Sequence, residues 1–124
     1  MRVSGVHHVA LWVHDLQGAC DFYRGVLGLT EQRRWHTEAG DLRSIWLEAG
    51  STILMLERAP EGQPPPAPGP GWRLAALAID ARDRQGWLDR LRDHGVPVAD
   101  TTAYSIYVDD PEGNRVALSH WPDR

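Results

Sequence analysis

A break in the middle of the chain limits its fold more than any other feature. Residues 58–72 read RAPEGQPPPAPGPGW. Proline fixes φ and has no backbone N–H, and clustered proline and glycine interrupt both helix and sheet interior. The stretch therefore predicts an extended or polyproline-like linker. The pattern before it returns after it in the same order. Leu74 follows His8 by 66 residues, Gly95 follows Gly28 by 67, and Ala117 follows Leu54 by 63. Near-constant spacing marks an internal repeat.

In the first half, Val6 to Val13 alternates as a strand does, with Val9, Leu11 and Val13 on one face and His8, Ala10 and Trp12 on the other. Asp15 reads as a helix N-cap. Leu16, Ala19, Cys20, Tyr23, Val26 and Leu27 then recur at helical spacing, and Gly28 reads as the stop. Strands are predicted near 30–37, 43–48 and 51–57, the last two joined by a tight turn at Ala49-Gly50. The second half repeats this order. A strand runs from Leu74 to Ile79, and a helix from about Asp83 to His94 ends at Gly95. Strands follow near 96–102, 104–108 and 115–121, with DPEGN as the last turn. The expectation is an α+β chain, a single domain over 1–124. Module one spans 5–57, the linker 58–71 and module two 72–121. Two βαβββ modules would form a curved mixed sheet with a central groove and helices outside.

Composition narrows the function. A chain of 124 residues can bury a real core. All 13 basic residues are Arg, which argues against a Schiff-base lysine. The net charge is −4 and no basic stripe is present, so nucleic acid is not an expected partner. No apolar run approaches the ~20 residues of a membrane span. No signal peptide is read after Arg2, and Cys20 has no second cysteine to pair with. A reducing cytoplasm is the expected location.

The segments HHVALWVHDLQGACDFYRGVLGL and DPEGNRVAL resemble the vicinal-oxygen-chelate superfamily, which includes glyoxalase I, fosfomycin-resistance enzymes, extradiol dioxygenases and bleomycin-resistance proteins. The resemblance covers about residues 5–121. It implies up to four metal-ligand positions, two per module. They fall on His8, on Leu54 (or Met55 with a register slip of one), on Leu74 and on Ala117. One imidazole among apolar groups cannot hold a catalytic zinc or a hard octahedral cation, so no metal and no cofactor is expected. Strand alternation sets His7 opposite His8, and gives Glu57 and His120 the opposite parity to Leu54 and Ala117.

Small residues and aromatics then line the expected groove: Ala10, Thr52, Leu56, Ala76, Ala78 and Ser105 beside the candidate ligand contacts. Those contacts are His8, Trp12, Trp46, Leu54, Leu74, Tyr107, Ala117, Ser119 and Trp121. Trp35, Trp72 and Trp87 are read as packing. Flat indole and phenol walls over a small-residue floor suit a planar, largely apolar ligand. The resemblance to the metal-free bleomycin-resistance branch implies non-catalytic sequestration of a hydrophobic, aromatic natural product or antibiotic by a homodimer. The alternative is a metal-independent isomerase, cyclase or lyase, with His8 as general base and Tyr107 as proton donor.

Overall fold

The computed structural model describes residues 1–64 and 69–124. The chain divides into two compact units, Met1–Pro65 and Pro66–Arg124, so the division falls inside the proline-rich segment. Part of the expected linker, residues 65–68, lies outside the described residues. Each unit is a βαβββ module with its own four-stranded mixed sheet, and the fold is α+β.

Module one contains β1 (His8–Val13), α1 (Leu16–Cys20), β2 (Thr30–His36), β3 (Leu42–Ala49) and β4 (Thr52–Arg58), in sheet order β1-β4-β3-β2. Asp15 caps α1 as its sequence position predicts, with its carboxylate accepting from the Gly18 N–H at 3.0 Å. The helix does not continue as regular α-helix. Asp21–Val26 widens into a π-helical turn, which ends near Gly28 at φ +78°. Side chains of α1 and this turn (Leu16, Ala19, Cys20, Phe22 and Tyr23) are buried, as are Val13, Ile45, Leu47, Leu54 and Leu56 of the sheet. α1 packs against β3 and β4, so the core lies between the helix and one sheet face.

Module two contains β5 (Ala75–Ala78), a 3₁₀ turn (Ala81–Asp83), α2 (Arg84–Asp93), β6 (Asp100–Thr101), β7 (Ser105–Asp109) and β8 (Arg115–Ser119). Its sheet order is β5-β8-β7-β6, which repeats that of module one. Gly95 takes φ +70° after α2, the counterpart of Gly28. Leu91, Ile106, Val108, Val116 and Leu118 form its buried apolar set. The strand expected over 96–102 shrinks to two residues. Pro97 has no N–H for a ladder, and pairing resumes only where the Ala99 N–H reaches the Tyr107 carbonyl at 2.8 Å. Among the described residues, no helix is long and apolar enough to cross a membrane.

Candidate functional site

The helix covers one face of sheet one, and register shows what lies on the other. Residues paired directly across strands share a face. His8 pairs with Ile53, Ala10 with Met55 and Trp12 with Glu57. Met55 in turn pairs with Trp46, Glu57 with Ser44, Trp46 with Arg33 and Ser44 with Trp35. The open face therefore carries His8, Ala10 and Trp12 on β1, and Ile53, Met55 and Glu57 on β4. Ser44 and Trp46 on β3 and Arg33 and Trp35 on β2 complete it.

This register corrects the placement of Leu54. It pairs with Val9, is only 6% exposed and belongs to the core. Thr52 and Leu56 share its parity and leave the candidate face with it, while Glu57 enters it. The internal repeat explains the slip. Ala10 pairs with Met55, and Ala76 pairs with Ala117. If His8 corresponds to Leu74, then Ala10 corresponds to Ala76, and the counterpart of Ala117 is Met55.

A second expectation fails at the start of β1. His7 and His8 do not point apart. Their rings meet edge-on with centroids 5.2 Å apart, and their Nδ1 atoms lie 2.9 Å from one another, one donating and the other accepting. Ladder pairing begins at His8, so alternation does not hold the His7 side chain.

Two β-bulges shape the β2–β3 pair, one between Glu31 and Arg33 and one between Trp35 and His36. A bulge re-aims the side chains beside it. Here it brings His36 and Arg43 onto the same concavity as Trp35, Ser44, Trp46, Met55 and Glu57, a volume of about 340 Å³. The Trp35 and Trp46 rings lie 5.8 Å apart. The Arg33 guanidinium sits 4.4 Å from the Trp35 centroid and 5.8 Å from that of Trp46. Trp35 is 42% exposed and Trp12 is 55% exposed. Sequence reasoning placed Trp46 among the candidate contacts but missed Trp35, Arg33 and Arg43. Arg33 and Trp35 reach the face by regular pairing with Trp46 and Ser44, whereas the bulge that adds Arg43 leaves no periodic signal.

Behind the sheet, on its covered side, Glu31 accepts from Arg34 at 2.9 Å and lies 3.8 Å from the Cys20 thiol. The Arg34 hydrogen bond lowers the Glu31 carboxyl below its ordinary range, whereas burial and then the Glu31 charge raise the thiol of Cys20.

In module two, Tyr107 pairs with Ala117 and Ser105 with Ser119, while Ala76 and Ala78 pair with Ala117 and Ser119, so these residues share one face. The Ser105 hydroxyl donates to that of Ser119 at 2.9 Å. Ala117 is buried. Leu74 lies one residue before β5 begins, outside the ladder. Trp121 lies beyond the end of β8, exposed, with its ring edge-on to Tyr104 at 4.6 Å. His120 is buried, its Nε2 accepts from Arg84 at 2.9 Å, and its Nδ1 meets the Asp123 carbonyl.

The metal implied by the resemblance does not suit these donors. Module one offers His8 and the thioether of Met55 at the family's positions, and module two offers Leu74 and Ala117. Among the described residues, no three His, Cys, Asp or Glu side chains come together as a metal-binding group. An alkyl group cannot replace a hard donor around a cation.

Known proteins share this architecture and, weakly, this sequence. The chain is 27% identical over 119 residues to glutathione transferase FosA of Serratia marcescens, covering 94% of this chain and 80% of that protein. A glyoxalase/dioxygenase from Nostoc punctiforme superposes with a TM-score of 0.80 at 23% identity, over 97% of this chain and 92% of that one. TnmS3, an antibiotic binding protein from Streptomyces sp. CB03234, superposes with a TM-score of 0.73 at 25% identity, over 97% and 98%. The family model that matches spans residues 5–118, nearly the whole of both modules, and the chain belongs to the glyoxalase/bleomycin resistance protein/dioxygenase superfamily.

Proposed function

We propose that this protein binds and sequesters a planar, largely apolar small molecule of the antibiotic type, without turnover, on the open face of module one. The observation that carries this reading is the exposed aromatic surface of that face. Trp12 and Trp35 are exposed on that face, and Trp35 and the half-buried Trp46 line a concavity with Ser44 and Met55. Exposed indoles on a sheet face are costly to leave in water and well suited to stacking. The likeness to TnmS3, an antibiotic binding protein, supports the reading, and the unsuited donor set weighs against metal-assisted chemistry.

The energetics suffice. Burying about 400 Å² of apolar ligand surface contributes about 10 kcal/mol gross, and association costs leave micromolar to nanomolar affinity. The test is titration with a panel of polycyclic aromatic antibiotics, following Trp fluorescence, with mass spectrometry of the recovered ligand. Quenching is expected, with the ligand returned unchanged. Trp46→Ala should lose about 2–4 kcal/mol of binding, as for an interface anchor. His8→Ala should lose about 0.5–1.5 kcal/mol, the net value of a neutral hydrogen bond. Conversion of the ligand by the wild-type protein, abolished in His8→Ala, would replace sequestration with general-base catalysis.

A further inference from the structure

The concavity on module one has a charge character that the open aromatic face alone does not explain. The Arg33 guanidinium lies over the Trp35 ring, 4.4 Å from its centroid, and 5.8 Å from that of Trp46. Arg43 lines the same concavity. Neither forms an ion pair with another described residue. Other arginines do find partners: Arg34 pairs with Glu31, Arg82 with Asp80, Arg92 with Asp89 and Arg115 with Asp109, and Arg58 and Arg84 donate to backbone carbonyls. Beside the two uncompensated cations, the indole N–H of Trp46 is buried and has no acceptor among the described residues. Buried donors are nearly always satisfied, so a buried N–H without a partner needs an explanation. Glu57 and Arg43 line the concavity with opposite charges, and Arg33, on the same sheet face over Trp35, adds a second guanidinium at its edge.

We propose that this concavity is a subsite for an aromatic acid: a planar ring system bearing a carboxylate, sulfonate or phenolate. The inference rests on the binding face proposed above and names the class of ligand it selects. The ring lies along the Trp35–Trp46 platform. The acidic group takes N–H groups of Arg33 and Arg43. An acid oxygen there is the kind of acceptor that the Trp46 N–H lacks. Arg33 thus acts as a specificity determinant. A neutral ring gains stacking alone, and a planar cation meets the repulsion of Arg33 and Arg43.

Two dyes of nearly the same shape separate charge from stacking. 8-Anilinonaphthalene-1-sulfonate carries the acid, and N-phenyl-1-naphthylamine is its neutral counterpart. Both are titrated into the full chain, reading dye emission and Trp quenching. The sulfonate should bind the wild type at least roughly tenfold more tightly, as one charge-assisted hydrogen bond allows. In the Arg33→Gln/Arg43→Gln double variant, the two dyes should bind within about twofold of each other. Equal binding of the two dyes to the wild type, or a sulfonate preference that survives the double variant, overturns the inference. Loss of the neutral dye in either Trp35→Ala or Trp46→Ala separates the two readings. If the neutral dye depends on the indoles but no acid preference exists, the aromatic face stands and the acid subsite falls. If neither dye binds the wild type, both fall.

Discussion

Exchanging the roles of two adjacent residues on β4 gives the sharpest test of the site's geometry. Leu54 is 6% exposed and faces α1, while its neighbour Met55 lines the open concavity. Leu54→Ala removes a buried isobutyl group from between Val9 on β1 and Leu47 on β3, its two cross-strand partners. A substitution of this kind loses transfer free energy and leaves a cavity, costing about 2–5 kcal/mol. With a central value of about 3 kcal/mol and a chain of 124 residues, Tm should fall by roughly 10 °C. Met55→Ala deletes a partly exposed side chain and should cost under about 1 kcal/mol of stability. Ligand binding should respond in the opposite sense. Met55→Ala should weaken capture of an aromatic probe about tenfold, since it removes the floor beside Trp46, whereas folded Leu54→Ala should bind nearly as the wild type does. Urea unfolding and fluorescence titration of both variants provide the four numbers required. A stable Leu54→Ala that cannot bind, beside a Met55→Ala that unfolds easily, would return Leu54 to the open face and refute the register.

Three further outcomes are expected. The chain should run as a homodimer in light scattering at tens of micromolar; among the described residues β1 is an edge strand of its sheet, and Val6, Val9 and Trp12 are exposed on or beside it, so a monomer mass would count against the expectation. Asp15→Ala should cost about 1 kcal/mol in urea unfolding, because the Gly18 N–H loses its cap, and an unchanged midpoint would show that the cap contributes nothing. Glu31 has its carboxyl lowered by the Arg34 hydrogen bond, so its contribution to stability is complete above its ordinary value of 4.5 and is lost as pH falls below it. The stability of Glu31→Gln should therefore fall less steeply on acidification than that of the wild type, as read by urea midpoints across that range.

What the sequence reveals and what it hides divide along physical lines. The linker, both helices and the order of strands are carried by local signals: proline and glycine, the Asp15 cap, and apolar residues at helical spacing. Such signals survive without any knowledge of tertiary contacts. Facing is different, because a shift of one residue moves every side chain of a strand to the other side. On β1 the alternation of Val9, Leu11 and Val13 against His8, Ala10 and Trp12 is clean, and both faces were legible. On β4 the run Thr52-Ile53-Leu54-Met55-Leu56 is apolar on either parity, so nothing in it distinguishes the core side from the open side. Only its pairing with β1 fixes the register. The concavity was hidden for a related reason. His36 and Arg43 join the paired Trp35 and Ser44 because a bulge breaks the alternation that would have separated them. The residues proposed to choose the ligand are thus those whose placement follows least from local pattern. This is where function most often departs from the regularity that folds a chain.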